Sequence, residues 1–172
     1  MANPNVLIPF VLRYEGGFVN DPKDRGGATN KGITLNTFRS VYGRTKSVND
    51  LKCITNEQWR NIFISRYWNK CSADMIKDQS IANMLVDFAW HSGVTTAVKK
   101  LQKIVGVISD GICGVQTIGA INSRYAPETF ILLKAARMKY LQGIVKNNHS
   151  QARFMYGWTK RVNAIEYGKL TY

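Results

Sequence analysis

A stretch of twenty residues, from Glu15 to Thr34, constrains this chain more than any other part of it. The stretch reads EGGFVNDPKDRGGATNKGIT and contains three acidic residues, five glycines and one proline. Directly after an apolar segment, such a composition is typical of a loop that carries a site. Ile8, Val11 and Leu12 precede Glu15 by seven, four and three positions, so on a helix they share its face. The spacing therefore predicts that the Glu15 side chain points toward a core.

Glu15 itself has two interpretations. Burial against apolar neighbours disfavours the charged form of a carboxyl group, which is the adjustment that a general acid needs at neutral pH. The alternative is a helix-end carboxylate that turns to solvent ahead of a C-cap at Gly16. Negative charge is unfavourable at a helix C-terminus, so a glutamate at this position invites a functional explanation. The spacing alone leaves both interpretations open.

The same stretch resembles the signature of glycoside hydrolase family 108, the N-acetylmuramidase-type lysozymes of phages and bacteria. The matching positions are Glu15, Gly16, Gly17, Asn20, Asp21, Pro22, Asp24, Gly26, Gly27, Thr29, Gly32, Ile33 and Thr34. In that family the glutamate before the two glycines is the catalytic acid, so the resemblance implies this role for Glu15. The chain departs from the pattern at Phe18, where a tyrosine is usual, and at Arg25, where a proline is common.

Other residues of the stretch are candidates for the same site. Glycoside cleavage needs a second group that stabilises an oxocarbenium-like transition state or directs water. Asp24 is our candidate for that catalytic role, with Asp21 as the other nearby carboxylate, and Thr29 is expected to hold the loop or to position a water. The residues predicted to bind substrate are Asn20, Asp21, Gly27 and Asn30. Both aspartates have an alternative as turn formers that bond their own backbone.

Helix signals run along the whole chain. Asn3-Pro4 predicts a helix from about Pro4 to Glu15, and Thr55-Asn56-Glu57-Gln58 predicts a capping box that opens a helix through about Trp68. An apolar stripe predicts a central buried helix over 78–92. Further helices are expected at 35–42, 95–105, from 115, at 127–146 and at 150–167, with a small strand or hairpin between 18 and 33. The resemblance implies a mainly α, lysozyme-like helical fold with a Gly-rich loop or small β-hairpin after the first helix.

The predicted central helix carries a polar pair, Asp87 and His91. The two residues are four positions apart, a spacing at which their side chains can meet on a helix. An isolated aspartate and histidine define no chemistry by themselves. A structural pair is therefore favoured over a catalytic one.

The second half of the chain resembles the peptidoglycan-binding region that accompanies this family. The residues that carry the resemblance are Leu101, Gln102, Asp110, Gly111, Gly114, Thr117, Gly157, Trp158, Arg161 and Val162. The expected organisation is a catalytic region at 1–90 and a helical peptidoglycan-binding region at 91–172, packed as one compact unit. Near the end of the chain, core packing rather than a ligand platform is predicted for Phe154, Trp158, Arg161, Val162 and Ile165, which fall at helical spacing.

The charge predicts an anionic partner. The chain has 24 Lys and Arg against 11 Asp and Glu, a formal charge of +13, which favours nucleic acid, anionic lipid or an acidic cell-wall polymer. Residues 124–172 hold nine basic and two acidic residues. No helix-turn-helix, zinc-finger or RNP pattern stands out. We therefore interpret the charge as nonspecific attraction to the bacterial envelope, with no specific nucleic acid.

The three cysteines, Cys53, Cys71 and Cys113, show no C-x-x-C pair and no metal-ligand spacing. Free core cysteines and neither metal nor cofactor are expected, as for synthesis in a reducing cytoplasm. The start, MANPN, lacks the features of a signal peptide, and no apolar run reaches transmembrane length. We expect a monomer that acts in the periplasm or cell wall after release.

These observations favour a peptidoglycan hydrolase that cleaves the β-1,4 bond between N-acetylmuramic acid and N-acetylglucosamine and lyses bacterial walls. A phage endolysin is the favoured setting, and a bacterial enzyme that accompanies a secretion system is the close alternative. A lytic transglycosylase, in which one glutamate acts as acid and then base, keeps the substrate and changes the product. A noncatalytic cell-wall or nucleic-acid binding protein is the alternative from another class.

Overall fold

The structure, a computed structural model, describes residues 1–20 and 27–171, so that Asp21 and Asp24 lie outside the described residues. Most of the described chain is helical, and the expectation of a mainly α fold with a small hairpin is confirmed. The helices are α1 (Pro4–Tyr14), α2 (Leu35–Tyr42), α3 (Val48–Lys52), α4 (Asn56–Phe63), α5 (Gln79–Ser92), α6 (Val94–Val105), α7 (Val115–Ser123), α8 (Ala126–Asn147) and α9 (Met155–Asn163). The strands are β1 (Thr29–Asn30), β2 (Ile33–Thr34), β3 (Ile165–Glu166) and β4 (Lys169–Leu170).

Helix α1 begins as predicted, because the Asn3 side chain accepts a hydrogen bond from the backbone N–H of Asn5. It ends one residue early. Glu15 has extended backbone angles, φ −87° and ψ 136°, and is itself the C-cap, so the alternative with a C-cap at Gly16 is wrong. Glu15 therefore lies at the point where the chain leaves α1.

One face of α1 packs into the core. Its buried residues are Leu7, Phe10 and Val11. Ile8 and Leu12, predicted to share the core face with Val11, are half-buried at its margin. The buried stripe thus lies slightly to one side of the predicted one, and Glu15 leaves the helix near its edge.

Strands β1 and β2 form the predicted hairpin, with Thr29 opposite Thr34 and Asn30 opposite Ile33. The two loop residues, Lys31 and Gly32, both have positive φ, 48° and 77°, which is the pattern of a type I′ turn. This turn type matches the twist of the flanking strands, and it brings the backbone of Gly32 beside the end of α1.

The capping box that opens α4 is present as predicted. The Gln58 N–H donates to the Thr55 hydroxyl oxygen at 3.1 Å, and the Thr55 N–H donates to the Gln58 side chain at 3.0 Å. The regular helix ends at Phe63, however, and the chain continues as a π-helical turn, Ile64–Trp68, instead of an α-helix. Such turns are frequent at functional sites, and this one carries Tyr67.

Helix α5 is the central helix of the fold. It begins at its cap Asp78, whose carboxylate accepts from the backbone N–H of Ile81. Every residue from Ser80 to Ala89 is buried, and α5 packs against α6 and α8. A side chain on this helix, such as Asp87, is therefore surrounded by protein on all sides.

The last part of the chain differs from the prediction. Asn148, not Ser150, is the cap, because its side chain accepts from the Ser150 N–H. The chain then makes a 3₁₀ segment, His149–Phe154, before α9. The predicted helix through 167 is wrong, since α9 ends at Asn163 and the chain closes in a second hairpin, β3 and β4.

The cysteines are free: Cys53 is exposed, and Cys71 and Cys113 are buried. Burial raises the pKa of both buried thiols, that of Cys113 to about 12. In the part of the chain that the structure describes, every helix is too short or too polar to cross a membrane.

Candidate active site

Glu15 is held by two donors on one oxygen. Its Oε1 accepts a hydrogen bond from the indole N–H of Trp90 at 2.7 Å and one from Nη1 of Arg161 at 2.8 Å. The side chain is 13% exposed. The carboxyl group thus lies in a partly buried position with a fixed orientation, instead of turning freely into solvent.

Gly32 lies directly against this carboxyl group. A Cβ atom at this position would stand 2.8 Å from Cδ of Glu15 and 2.8 Å from Cζ2 of Trp90, closer than real Cβ atoms approach. Its φ of 77° is also strained for a residue with a side chain. Two independent reasons therefore require glycine here, and the hairpin covers one side of Glu15.

Behind Glu15 lies a buried ion network centred on Asp87. Arg161 donates to Asp87 through Nε at 3.1 Å to each carboxylate oxygen and through Nη2 at 2.7 Å, and Arg137 pairs with it through Nη2 at 2.7 Å. Burial alone would raise the pKa of Asp87, but the charges of Arg161 and Arg137 outweigh it and lower the pKa to about 2. Asp87 is therefore a carboxylate that holds two arginines, one of which reaches Glu15.

The predicted pairing of Asp87 with His91 is corrected by this network. Asp87 faces α8 and α9, which supply the two arginines, so its oxygens are already occupied. The His91 ring instead meets the Trp158 ring edge-on, with centroids 5.5 Å apart. Burial, and then the charges of the two arginines, lower the pKa of His91 to about 4. The imidazole is therefore neutral at pH 7.

Aromatic rings fix the orientation of Trp90. Its ring lies 4.7 Å from that of Tyr67, 5.3 Å from that of Trp59 and 5.6 Å from that of Phe63, between centroids. Tyr67 stands on the π-helical turn, and its pKa is raised by burial and then by the negative charge of Glu15. The packing aims the indole N–H at the carboxyl group.

A cleft of about 530 Å³ opens beside Glu15, a size within the range of ligand sites. One side is lined by Tyr14, Glu15, Gly32, Trp90 and His91. The other side is lined by Arg153, Phe154, Gly157, Trp158 and Arg161. Within residues 1–20 and 27–171, Glu15 supplies the carboxyl group of this lining. Residues from both ends of the chain thus form one cleft.

The core prediction for the end of the chain is corrected in part. Val162 and Ile165 are fully buried, and Arg161 is buried within the ion network. Phe154 is 42% exposed, however, and Trp158 is half-buried on the cleft. The reason is that the 3₁₀ segment before α9 turns Phe154 away from the core.

The remaining predicted residues lie around the first hairpin, apart from the cleft lining. The Thr29 hydroxyl donates a long hydrogen bond, 3.4 Å, to the carbonyl of Gly27, which fits a residue that holds the loop. Gly27 is exposed with φ 64°, and Asn20 is exposed. Asp21 and Asp24 stand in the part of the chain that is not described.

Asn30 has a clear structural function. It is 6% exposed, and its side-chain amide donates to the carbonyl oxygens of Leu51 and Lys52, at 3.0 Å each. These bonds tie the hairpin to α3. Both N–H groups of this amide are therefore occupied, and either could donate to a substrate only if its present bond broke.

Sequence reasoning missed Trp90 and the bond between Arg161 and Glu15. The sequence offered one relevant signal, the Gly157-Trp158 and Arg161-Val162 pattern, which was interpreted as packing. Trp90 follows a buried apolar stripe and looks like part of it. Its N–H reaches the Glu15 carboxyl group because α5 passes the end of α1, a tertiary contact that the local sequence does not reveal.

Two family models match the chain. The model described as glycosyl hydrolase 108 matches residues 8–93, and the model described as a predicted peptidoglycan domain matches residues 96–163. A solved structure described as "Structure of Brucella abortus SagA" is 38% identical, with 94% of this chain and 90% of that chain covered and a TM-score of 0.81. No curated protein matches. The similarity covers both sides of the cleft.

Proposed function

The chain belongs to glycosyl hydrolase family 108, and we propose that it cleaves the β-1,4 bond between N-acetylmuramic acid and N-acetylglucosamine with Glu15 as general acid. It is a glycoside hydrolase, and its second region matches a peptidoglycan domain, so peptidoglycan is its substrate. The observation that carries the proposal is the Glu15 carboxyl group, held by Trp90 and Arg161 on the wall of a ligand-sized cleft.

The two donors indicate which oxygen carries the proton. Trp90 and Arg161 both donate to Oε1, which is therefore an acceptor in either protonation state. Oε2 receives no hydrogen bond from a described residue, so the acidic proton belongs on Oε2. When this proton moves to the glycosidic oxygen, the C–O bond breaks and the leaving sugar departs with a hydroxyl group. The two N–H donors then stabilise the carboxylate that remains.

The positive charge that develops at the anomeric carbon needs a second group. Asp24 remains our first candidate and Asp21 our second, because both follow Glu15 closely in the sequence. The Asp87 carboxylate is unsuited to this role, since it is fully buried and bound by two arginines. We expect Asp24→Asn to lower the turnover rate more than Asp21→Asn. If both variants lose melting temperature and keep specific activity, both aspartates are turn formers.

A lytic transglycosylase is the second candidate, favoured by the single carboxyl group in the described lining. In that reaction Glu15 protonates the leaving oxygen and then, as a carboxylate, removes the proton from the substrate's own hydroxyl, which attacks in place of water. Mass spectrometry of digested peptidoglycan separates the two reactions. Reducing ends with an added water support the hydrolase, and anhydro ends contradict it.

Glu15→Gln is the direct test of the acid. The amide keeps the shape of the side chain and still accepts from Trp90 and Arg161, but it has no acidic proton. We expect turnover of purified peptidoglycan to fall ~10² to 10⁴-fold, with circular dichroism and melting temperature unchanged. Glu57→Gln, at an exposed carboxylate in the first turn of α4, is the matched control. Near-normal turnover by a folded Glu15→Gln protein would remove Glu15 from the mechanism. A noncatalytic binding protein would likewise keep its effect in this variant, because it needs no proton donor.

The cellular setting is part of the proposal. A monomer made in the cytoplasm and released to the cell wall, as a phage endolysin is, accords with the charge of +13 and the peptidoglycan-matching region. The bacterial enzyme of a secretion system remains the alternative. Lysis of intact cells when the protein is supplied from outside, and loss of that lysis in Glu15→Gln, would support the lytic function. The division into regions 1–90 and 91–172 is likewise proposed.

A further inference from the structure

One side of the cleft carries four residues near the end of the chain, Arg153, Phe154, Gly157 and Trp158, which we call the C-terminal wall. The rings of Phe154 and Trp158 stack with centroids 5.9 Å apart and planes 25° apart. The guanidinium of Arg153 lies over the Phe154 ring, 4.7 Å from its centroid. His91 meets Trp158 from the opposite element, α5. Flat groups thus follow one another along the cleft beside the general acid.

Packing of the fold does not explain this arrangement. Phe154 is 42% exposed and Arg153 is exposed. Arg153 forms no ion pair with a residue in the described ranges, in contrast to Arg137 and Arg161. An exposed aromatic ring and a cation without an ion pair in the described ranges, next to the proposed catalytic group, are typical of a binding surface.

Gly157 keeps the middle of the C-terminal wall open. Glycine is a poor helix former, yet Gly157 is the third residue of α9. A Cβ built on Gly157 would meet no atom within 4 Å, so no contact in the protein requires glycine there. The residue lines the cleft. Its missing side chain therefore leaves free space where a ligand can approach the backbone.

We propose that the C-terminal wall is a sugar subsite for a carboxylate-bearing N-acetylated amino sugar of the glycan. The ring of Trp158 packs against the apolar C–H face of the pyranose, and the stacked Phe154 ring holds Trp158 in place. Arg153 pairs with the carboxylate, and Gly157 leaves room for the sugar. This inference rests on the proposed function and adds a basis for selectivity. Peptidoglycan carries carboxylates, on its peptides or on the lactyl group of unsubstituted muramic acid, whereas chitin carries none.

Binding to the Glu15→Gln protein tests the subsite without turnover. The probes are a peptide-bearing muropeptide oligomer, a peptide-free glycan oligomer with lactyl carboxylates, and chitotetraose, each measured by calorimetry. Trp158→Ala is expected to weaken all three about tenfold or more. Arg153→Gln is expected to weaken the carboxylate-bearing probes about tenfold and to leave chitotetraose unchanged. The probe that loses more identifies the source of the carboxylate. Tyr156→Ala, at a side chain 81% exposed and outside the cleft lining, is the control.

A second variant keeps the test independent of folding. Gly157→Leu is expected to keep or raise the melting temperature, because leucine is a better helix former, and to weaken binding of all three probes at least about tenfold by filling the cleft. Gly119→Leu, at an exposed helical glycine of α7 that is equally free of neighbours, should leave binding unchanged. Unchanged binding in both Gly157→Leu and Trp158→Ala would overturn the subsite. The requirement for Glu15 in turnover would then still stand, since that is measured separately.

Discussion

The guanidinium of Arg161 reaches the carboxyl group of Glu15 at 2.8 Å, although 146 positions separate the two residues in the chain. The same guanidinium is bound on its other edge by Asp87. Arg161 can therefore neither swing away from Glu15 nor approach it more closely without breaking a buried ion pair. The orientation of Glu15, the proposed general acid, is fixed from the centre of the fold.

Trp90→Phe should impair catalysis more than stability. The phenyl ring preserves contacts with the aromatic neighbours, but the N–H that orients Glu15 is lost. Since a hydrogen bond to a charged group contributes about 1.5–3 kcal/mol, kcat should fall roughly 10- to 100-fold with KM little changed. Trp68→Phe also loses an indole bond to a carboxylate, to Asp74 at 2.6 Å, away from the cleft. Steady-state kinetics should show a normal kcat for that control; equal losses in both variants would contradict a catalytic function of the Trp90 bond.

Gly32→Ala should lose both stability and activity. The added methyl group strains a backbone with φ 77° and displaces the Glu15 carboxyl group. Gly106→Ala is a close control, because Gly106 has φ 76° and a methyl group added there would meet no atom within 4 Å. Each variant should lose about 1–2 kcal/mol of unfolding free energy, measured with urea. Only Gly32→Ala should lose peptidoglycan turnover; activity at the level of Gly106→Ala would mean that the hairpin does not constrain the acid.

His91 should make the fold sensitive to acid. Its pKa is about 4 in the folded protein against an ordinary 6.5, so between these values the unfolded chain binds the proton more readily. The unfolding free energy is therefore unaffected above pH 6.5 and falls as the pH drops toward 4, by about 2 kcal/mol between pH 7 and pH 5. Urea titrations of His91→Gln should show a smaller fall. His149→Gln, at an exposed histidine, should match the unmodified protein.

The basic surface should recruit the enzyme to the wall. Lys139, Lys146 and Lys160 are exposed, and changing all three to Gln should reduce lysis of whole walls at low salt while cleavage of a soluble muropeptide oligomer stays normal. In the unmodified protein, salt should inhibit wall lysis much more than oligomer cleavage, because the reach of exposed charges shortens to ~10 Å at 0.1 M. If the triple variant lost activity equally on walls and on the oligomer, these lysines would support the fold or the cleft and not recruitment to the wall.

Lys134 is excluded from that set for a structural reason. Its Nζ donates to the carbonyl oxygens of Asn163 at 3.3 Å and Ile165 at 2.9 Å, which joins α8 to the end of α9. Lys134→Gln is therefore expected to lower the melting temperature. Arg137 and Arg161 are also buried, so part of the basic excess in residues 124–172 belongs to the interior.

Features that depend on neighbouring residues could be predicted from the sequence. The cap at Asn3, the capping box at Thr55 and the hairpin that ends at Thr34 each involve groups a few positions apart. The predicted starts of these helices agree with the structure for that reason. The π-helical turn after Phe63 escaped prediction, because the local sequence favours continuation of an ordinary helix and tertiary packing decides otherwise.

The partners of Glu15 could not be predicted in this way. Helical spacing placed Arg161 and not Arg153 in the core, in agreement with their burial, but it could not identify Glu15 or Asp87 as the partners of Arg161. These contacts form because α9 turns Arg161 toward Asp87 on the central helix. Phe154 and Trp158 were predicted as core from the same periodicity, which does not reveal where a cleft interrupts the packing.

Arg161 follows its partner Glu15 by 146 positions, so the ribosome makes Glu15 long before Arg161. A nascent chain that has emerged through α7 already contains Glu15 and the glycine-rich loop, but it lacks Arg137, Arg161 and one side of the cleft. Glu15 therefore acquires its hydrogen-bond partner Arg161 only after α9 has left the ribosome. The same dependence limits chimeras: exchanging the second region for that of a relative also replaces one side of the cleft, unless the segment from Arg153 to Arg161 of this chain is retained.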